Sequence, residues 1–153
     1  MINRAGEAGV LAMIVEDDDL LRELLTENLE EAGWQVLGTQ SAELALSVDD
    51  FTPHVLLTDV NLGPGLNGIH LAERARQKWS PLGIVIMSGR PLPRGTPLAW
   101  RERFLRKPFE LATLLSCMQE VLVPGTTLPD PRDPARAETH CRSPARCGAG
   151  HER

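Results

Sequence analysis

The chain has 153 residues, a length that suits one domain with a single hydrophobic core. Hydrophobic residues make up 42% and charged residues 24% of the sequence, so the composition favours neither general disorder nor a membrane span. The formal net charge of -5 argues against a nucleic-acid surface, because phosphate binding relies on clustered lysine and arginine. The early apolar run at residues 10–15 is too short for a signal peptide, so we expect a cytoplasmic protein.

Strand and helix patterns alternate from the start of the chain. The continuous apolar run "VLAMIV" (10–15) predicts a buried strand, and leucines at helical spacing in the following segment predict a helix that ends near Gly33. A second strand is predicted at "WQVLG" (34–38), and a second helix at "SAELALSVDD" (41–50), where Ser41 is the cap. The third strand is predicted at "HVLLTDV" (54–60).

The second half of the pattern contains one irregularity. We predict a third helix at 67–79, a fourth strand at 83–89, a fifth strand at 104–108 and a last helix at 109–122. The segment at 90–103 holds three prolines where a fourth helix would lie, so that helix should be short or irregular. The alternation predicts an α/β fold with a doubly wound, five-stranded parallel sheet.

The two ends of the chain lack such patterns. Residues 1–9 are expected to be an N-terminal extension, and residues 124–153, with five prolines, a disordered tail rich in proline and arginine. We expect no disulfide, because the three cysteines have no framework spacing and Cys117 lies in a helical pattern. The tail also contains residue types that bind zinc, but at spacings that match no standard pattern: His140, Cys141, Cys147 and His151.

Polar residues that could bind a ligand or take part in a reaction lie at the carboxyl ends of the predicted strands. Glu16 and Asp17 follow the first strand, Asp59 ends the third, Ser88 ends the fourth, and Lys107 ends the fifth. Ligands of doubly wound sheets bind at this edge, so we expect these side chains to converge there. Three carboxylates suit a hard divalent cation such as Mg²⁺, whose charge together with that of Lys107 would neutralise the site.

Four motifs occur in order along the chain: "VEDD", "LLTDVNLGPGLNG", "IVIMSG" and "FLRKPF". With these motifs, residues 10–123 resemble the receiver domain of bacterial two-component response regulators. The resemblance implies a flavodoxin-like strand order of 2-1-3-4-5. It further implies a phosphoacceptor domain that is not an enzyme proper. We expect a stand-alone receiver of the single-domain type, because no output domain is predicted after the last helix.

The resemblance also implies roles for individual residues. Asp59 resembles the phosphoacceptor, Asp17 the direct metal ligand and Glu16 its partner through water, while Asn61 would offer its backbone carbonyl to Mg²⁺. The other positions resemble the switch hydroxyl, the switch aromatic and the lysine that pairs with the phosphoryl group: Ser88, Phe104 and Lys107.

The implied partners are a sensor histidine kinase or a histidine phosphotransfer protein, and an unidentified downstream protein, with no nucleic acid and no membrane. Two alternatives stay open. The chain could be a phosphate sink in a phosphorelay, or an aspartate-nucleophile phosphatase on a related sheet. Such phosphatases carry a D-x-D pair, whereas Asp59 is followed by Val60 and Asn61.

Overall fold

The protein is described by a computed structural model that covers residues 9–92, 94–98, 101–126 and 128. Five parallel strands form one sheet in the order β2-β1-β3-β4-β5, which confirms the order that the resemblance implies. The strands are β1 (Leu11–Val15), β2 (Gln35–Thr39), β3 (Val55–Asp59), β4 (Gly83–Ser88) and β5 (Glu102–Arg106). The helices are α1 (Asp19–Glu31), α2 (Ala42–Leu46), α3 (Gly68–Lys78) and α4 (Leu111–Glu120).

The sheet is covered on both faces by two separate hydrophobic layers. Ala12 and Ile14 of β1 belong to the layer that also contains α1 and α4, whereas Met13 and Val15 pack with α2 and α3. Because neighbouring side chains of a strand point to opposite faces, a strand buried on both sides needs an unbroken apolar run. This requirement explains the composition of β1. Packing on both faces holds the carboxyl end of the strand in a fixed position.

Most element boundaries differ from the prediction by one or two residues, and the differences at α2 and β5 have a clear physical basis. Helix α2 ends at Leu46 rather than near residue 50, and the Ser47 hydroxyl donates a hydrogen bond to the Leu44 carbonyl at that end. Strand β5 begins at Glu102, two residues earlier than expected, and this carboxylate is buried in an ion pair with Arg76 of α3. The ion pair allows a charged residue to lie inside the sheet.

The connection from β4 to β5 has no regular structure in its described part. Residues 89–92 and 94–98 form no helix, which confirms the expected irregularity. Prolines at positions 91 and 97 account for this, since proline donates no backbone hydrogen bond and disfavours helix in the residue before it.

Charge is distributed unevenly between the two edges of the sheet. Helix α1 packs beside β1 and β2, and its exposed surface carries acidic residues together with two exposed leucines: Asp19, Leu20, Glu23, Leu24, Glu27 and Glu31. At the opposite edge, the β4–β5 connection and the end of β5 present three exposed arginines. None of these forms an ion pair with a described residue: Arg90, Arg94 and Arg106.

Most of the expected tail lies outside the described residues, including the four residues of zinc-binding type. Leu128 is described, and its half-buried side chain packs against the core layer that contains α4. At least one residue of the segment 124–153 therefore contributes to the folded domain. Within the described ranges, no helix combines the length and apolar character that a membrane crossing requires.

We predict that Leu128 stabilises the domain. Burial of part of a leucine side chain contributes about 1 kcal/mol, so a chain ending at Thr126 should melt about 2–5 °C below one ending at Leu128. Thermal denaturation of both chains and of full-length Leu128→Ala measures this. Leu20→Ala is the control, because Leu20 is 80% exposed. Equal melting temperatures for the two truncated chains would contradict the prediction.

Candidate functional site

The predicted acidic residues meet at the carboxyl end of the sheet. Glu16 and Asp17 directly follow β1, and Asp59 is the last residue of the neighbouring strand β3. One carboxylate oxygen from each residue lies within 4.8 Å of the others. Glu16 is 1% exposed and Asp59 9%, whereas Asp17 is exposed to solvent, so the cluster is open on one side only.

Lys107, which directly follows the edge strand β5, completes this cluster. Its Nζ lies 2.9 Å from Asp59 Oδ2 and 3.0 Å from Glu16 Oε1. Burial lowers the pKa of the ammonium, but the hydrogen bonds to Asp59 and Glu16 outweigh this effect, so the pKa is raised. Lys107 is therefore charged at neutral pH, and it offsets one of the three carboxylates.

Glu16 has the most unusual environment of the cluster. Burial, followed by the neighbouring Asp59 carboxylate, raises its pKa from the ordinary 4.5 to about 7. Its Oε2 atom is buried and has no hydrogen-bond partner. A buried carboxylate oxygen without a partner costs free energy unless it takes up a proton or meets a cation.

These residues fit a divalent cation. The donor set consists only of oxygens, which hard cations such as Mg²⁺ prefer. The buried Glu16 Oε2 has no hydrogen-bond partner, and a cation or a bound water would satisfy it. The three carboxylates and Lys107 together leave a net charge of about -2 when all are ionised, which one divalent ion would neutralise.

The loop between β3 and α3 borders the cluster. The Asn61 backbone N–H donates to Asp59 Oδ1 at 3.3 Å, and the Gly63 N–H donates to Asn61 Oδ1 at 3.3 Å. Gly63 has a φ of +80° and lies beside Asp17, where an added Cβ atom would be 3.9 Å from Asp17 Oδ2. The loop therefore places the backbone of Asn61 next to the Asp59 carboxylate.

Two residues that hold this loop were not singled out by the sequence. An added Cβ at Gly68 would lie 2.1 Å from the Asp59 carbonyl oxygen, so only glycine allows α3 to begin this close to β3. Gly63 and Gly65 have positive φ angles, whereas Gly68 is required by space. Glu43 of α2 is the other residue, since it accepts a hydrogen bond from the Leu66 N–H at 2.9 Å.

Ser88 ends β4, the strand beside the one that carries Asp59, but its hydroxyl is engaged elsewhere. The Ser88 hydroxyl accepts a hydrogen bond from the Arg90 N–H at 3.0 Å, and its carbonyl accepts one from the Lys107 N–H at 2.8 Å. Phe104 lies in the middle of β5, half-buried against the layer that contains α2 and α3. The structure thus joins Ser88 to Lys107 through the backbone and leaves the Ser88 hydroxyl in a turn.

Comparison with known families agrees with this arrangement. The family model for the response regulator receiver domain matches residues 12–119. The chain belongs to this family. Receiver domains are phosphoacceptor signalling domains of bacterial two-component systems, and histidine kinases phosphorylate them.

Individual relatives place this receiver domain among larger regulators. It is 29% identical to the transcriptional regulatory protein FixJ of Azorhizobium caulinodans over 115 residues, which are 71% of this chain and 53% of FixJ. The chain thus spans about half the length of that relative. It also resembles the receiver domain of HemR from Leptospira biflexa, with a TM-score of 0.63 and 27% identity over 79% of this chain and 98% of that one.

A second similar structure contains Mg²⁺ and BeF. The response regulator TrrA from Thermotoga maritima, in complex with Mg²⁺ and BeF, has a TM-score of 0.65 and 23% identity. The match covers 74% of this chain and 99% of TrrA, and at this identity it supports the fold alone.

We predict that Glu16 makes the metal-free receiver domain less stable as the pH rises. Because its folded-state pKa is raised, stability falls between the unfolded value near 4.5 and about 7, and is constant above that range. At 1.36 kcal/mol per pKa unit the loss is up to about 3 kcal/mol. Glu16→Gln should remove this dependence, because the amide neither gains nor loses a proton in this pH range.

Urea denaturation in EDTA between pH 5 and pH 8 measures this effect. The matched control is Glu23→Gln, which changes an exposed carboxylate on α1 and should keep the slope of the wild-type protein. Parallel stability curves for the wild type and Glu16→Gln would contradict the assignment of the raised pKa.

Proposed function

We propose that residues 10–123 form a stand-alone receiver that accepts one phosphoryl group on Asp59 in a Mg²⁺-dependent reaction. The observation that supports this most is the position of Lys107, whose ammonium bridges Asp59 and Glu16 while Asp17 lies in the same cluster. A lone carboxylate can act as a phosphoacceptor only where positive charge balances the incoming phosphoryl oxygens.

The transfer uses few groups of this chain. An oxygen of Asp59 attacks the phosphorus atom, the bond from phosphorus to the donor breaks, and the leaving group departs with its electron pair. Lys107 stays within hydrogen-bond distance of Asp59 and neutralises charge that develops on the phosphoryl oxygens.

The metal would be held by Asp17, Asp59 and the Asn61 backbone carbonyl, with Glu16 bound through water. When bound, Mg²⁺ would supply positive charge that offsets the carboxylates and the incoming phosphoryl oxygens.

The proposed output depends on Ser88 and Phe104. In the structure, the Ser88 hydroxyl is engaged with the Arg90 N–H, two residues into the irregular β4–β5 connection. A phosphoryl group on Asp59 adds acceptor oxygens near the end of β4. If the hydroxyl turns toward them, Arg90 loses its partner, and Phe104 repacks toward the space that Ser88 leaves. The change then reaches the exposed connection, where a downstream protein would read it.

The proposed phosphodonor is a sensor histidine kinase or a histidine phosphotransfer protein, and the protein acts in the cytoplasm without binding nucleic acid or a membrane. Cellular output then depends on protein binding. The phosphatase alternative receives less support, because Asn61 lies two residues after Asp59, where those enzymes need a second carboxylate as acid or base.

We predict that a small phosphodonor such as acetyl phosphate adds one phosphoryl group to the protein only when Mg²⁺ is present. Asp59→Asn should abolish the addition, because the amide is not a nucleophile. Intact mass spectrometry with and without EDTA measures the product. Asp49→Asn is the control, since Asp49 forms only an exposed ion pair with Lys78. Addition that survives Asp59→Asn, or proceeds equally in EDTA, would overturn the proposed acceptor.

The proposed movement of the Ser88 hydroxyl predicts a change at the Arg90 amide. Beryllofluoride on Asp59 should speed hydrogen exchange at the Arg90 amide several-fold, because the amide loses the Ser88 oxygen as its acceptor. In Ser88→Ala, the Arg90 amide should exchange fast in both states, while phosphorylation is still possible. Ser88→Thr keeps the hydroxyl and should behave like the wild type. If beryllofluoride alters only the immediate neighbours of Asp59, the protein is a phosphate sink without a switching surface.

A further inference from the structure

The loop that borders the acceptor is attached to the rest of the domain by a carboxylate from another helix. Glu43, in the first turn of α2, accepts a hydrogen bond from the Leu66 N–H at 2.9 Å, although the two residues are 23 positions apart. A second side chain from outside residues 61–67, that of Asp59, accepts a hydrogen bond from the Asn61 N–H at 3.3 Å.

The backbone of the loop is shaped to receive this carboxylate. Gly65 has a φ of +99°, and an added Cβ atom there would lie 2.7 Å from Glu43 Oε2. A side chain at position 65 would therefore displace the carboxylate and also strain the backbone. The close approach of Glu43 thus depends on a glycine next to the residue that it holds.

The charge of Glu43 matters for this contact. The hydrogen bond from Leu66 lowers the pKa of Glu43, so the ionised form is the one that the loop favours. Hydrogen bonds to ionised acceptors are shorter and stronger than those between neutral groups. Since Glu43 is exposed, water competes for the carboxylate, and the effect on stability is small.

The contact lies at the far end of the loop from the acceptor. The near end contains Asn61, whose N–H reaches Asp59 Oδ1 only at 3.3 Å, and Gly63 beside Asp17. The end of the loop is fixed by the Gly68 N–H, which donates to the Val60 carbonyl at 2.8 Å. Between these points, Leu62 is buried in the layer that contains α2 and α3, whereas residues 63–65 are exposed. The bond from Leu66 to Glu43 is therefore a second anchor for the loop that carries the Asn61 carbonyl.

We propose that Glu43 is a positioning residue for the phosphoacceptor site, which holds the β3–α3 loop so that the Asn61 carbonyl can meet a cation beside Asp59. This inference rests on the proposed function, because it assigns Glu43 a role in metal binding and phosphorylation. Glu43 itself contacts neither the cation nor the phosphoryl group.

Three full-length variants test the inference. Glu43→Ala removes the acceptor, Glu43→Gln keeps an oxygen acceptor without the charge, and Asp49→Ala removes a carboxylate from a different exposed contact after α2. The first readout is hydrogen exchange of the Leu66 amide in metal-free protein. We expect exchange about three- to tenfold faster in Glu43→Ala, close to wild type in Asp49→Ala, and largely restored in Glu43→Gln.

The second readout is function at the site. Calorimetric titration with Mg²⁺ should give a dissociation constant about three- to tenfold higher for Glu43→Ala, with Glu43→Gln again between the two proteins. Phosphorylation by acetyl phosphate at subsaturating Mg²⁺, followed by intact mass, should slow by a similar factor. At saturating Mg²⁺ the rates should converge, since the defect lies in holding the metal.

Two results would overturn the inference. Leu66 exchange in Glu43→Ala within twofold of the wild type would show that the carboxylate does not hold the loop. Faster exchange with unchanged Mg²⁺ affinity would show that the contact is structural only. A wild-type protein that binds no Mg²⁺ and gains no phosphoryl group would instead overturn the proposed function, while the exchange data would still decide whether Glu43 orders the loop.

Discussion

The site depends on one long side chain that crosses the end of a strand. Lys107 follows β5, yet its ammonium contacts Asp59 of β3 and Glu16 after β1, so it passes over the end of β4. Neighbouring strands are about 4.8 Å apart, and only a flexible four-carbon stem bridges two such spacings. This contact requires β3, β4 and β5 to end at a similar level, and the register provides this, since Asp59 pairs with Met87 and Ser88 pairs with Arg106. The remaining features of the site follow from that single bridge.

One ammonium does not balance three carboxylates, and Glu16 carries most of the consequence. It is the most deeply buried acid of the cluster, and one of its oxygens has no partner. Its pKa is raised to about 7, mainly by burial, so this carboxylate takes up a proton more readily than an exposed one. A proton or a nearby cation would each reduce the cost of keeping this group buried.

The order of elements and the convergence of Glu16, Asp17, Asp59 and Lys107 could be predicted from the sequence, because buried parallel strands leave unbroken apolar runs and their carboxyl ends share one edge. Contacts between distant residues were not predictable in this way. The sequence assigns Glu102 to the connection before the fifth strand, whereas in the structure it begins β5 and forms an ion pair with Arg76. Glu43 lies on an exposed helical turn, and Gly68 resembles a flexible loop residue, so neither shows its role without the fold.

The opposed charges at the two edges of the sheet give the domain an electric dipole. The acidic surface of α1 lies on the side of β2, and the exposed arginines of the β4–β5 connection lie on the side of β5. A charged partner in solution experiences this field at distances up to the Debye length, about 8 Å at physiological salt. The field therefore orients the partner before it contacts the domain. The rate of productive encounter falls with ionic strength, even where the final contact is apolar. The exposed leucines of α1 would thus be approached from a direction that its glutamates select.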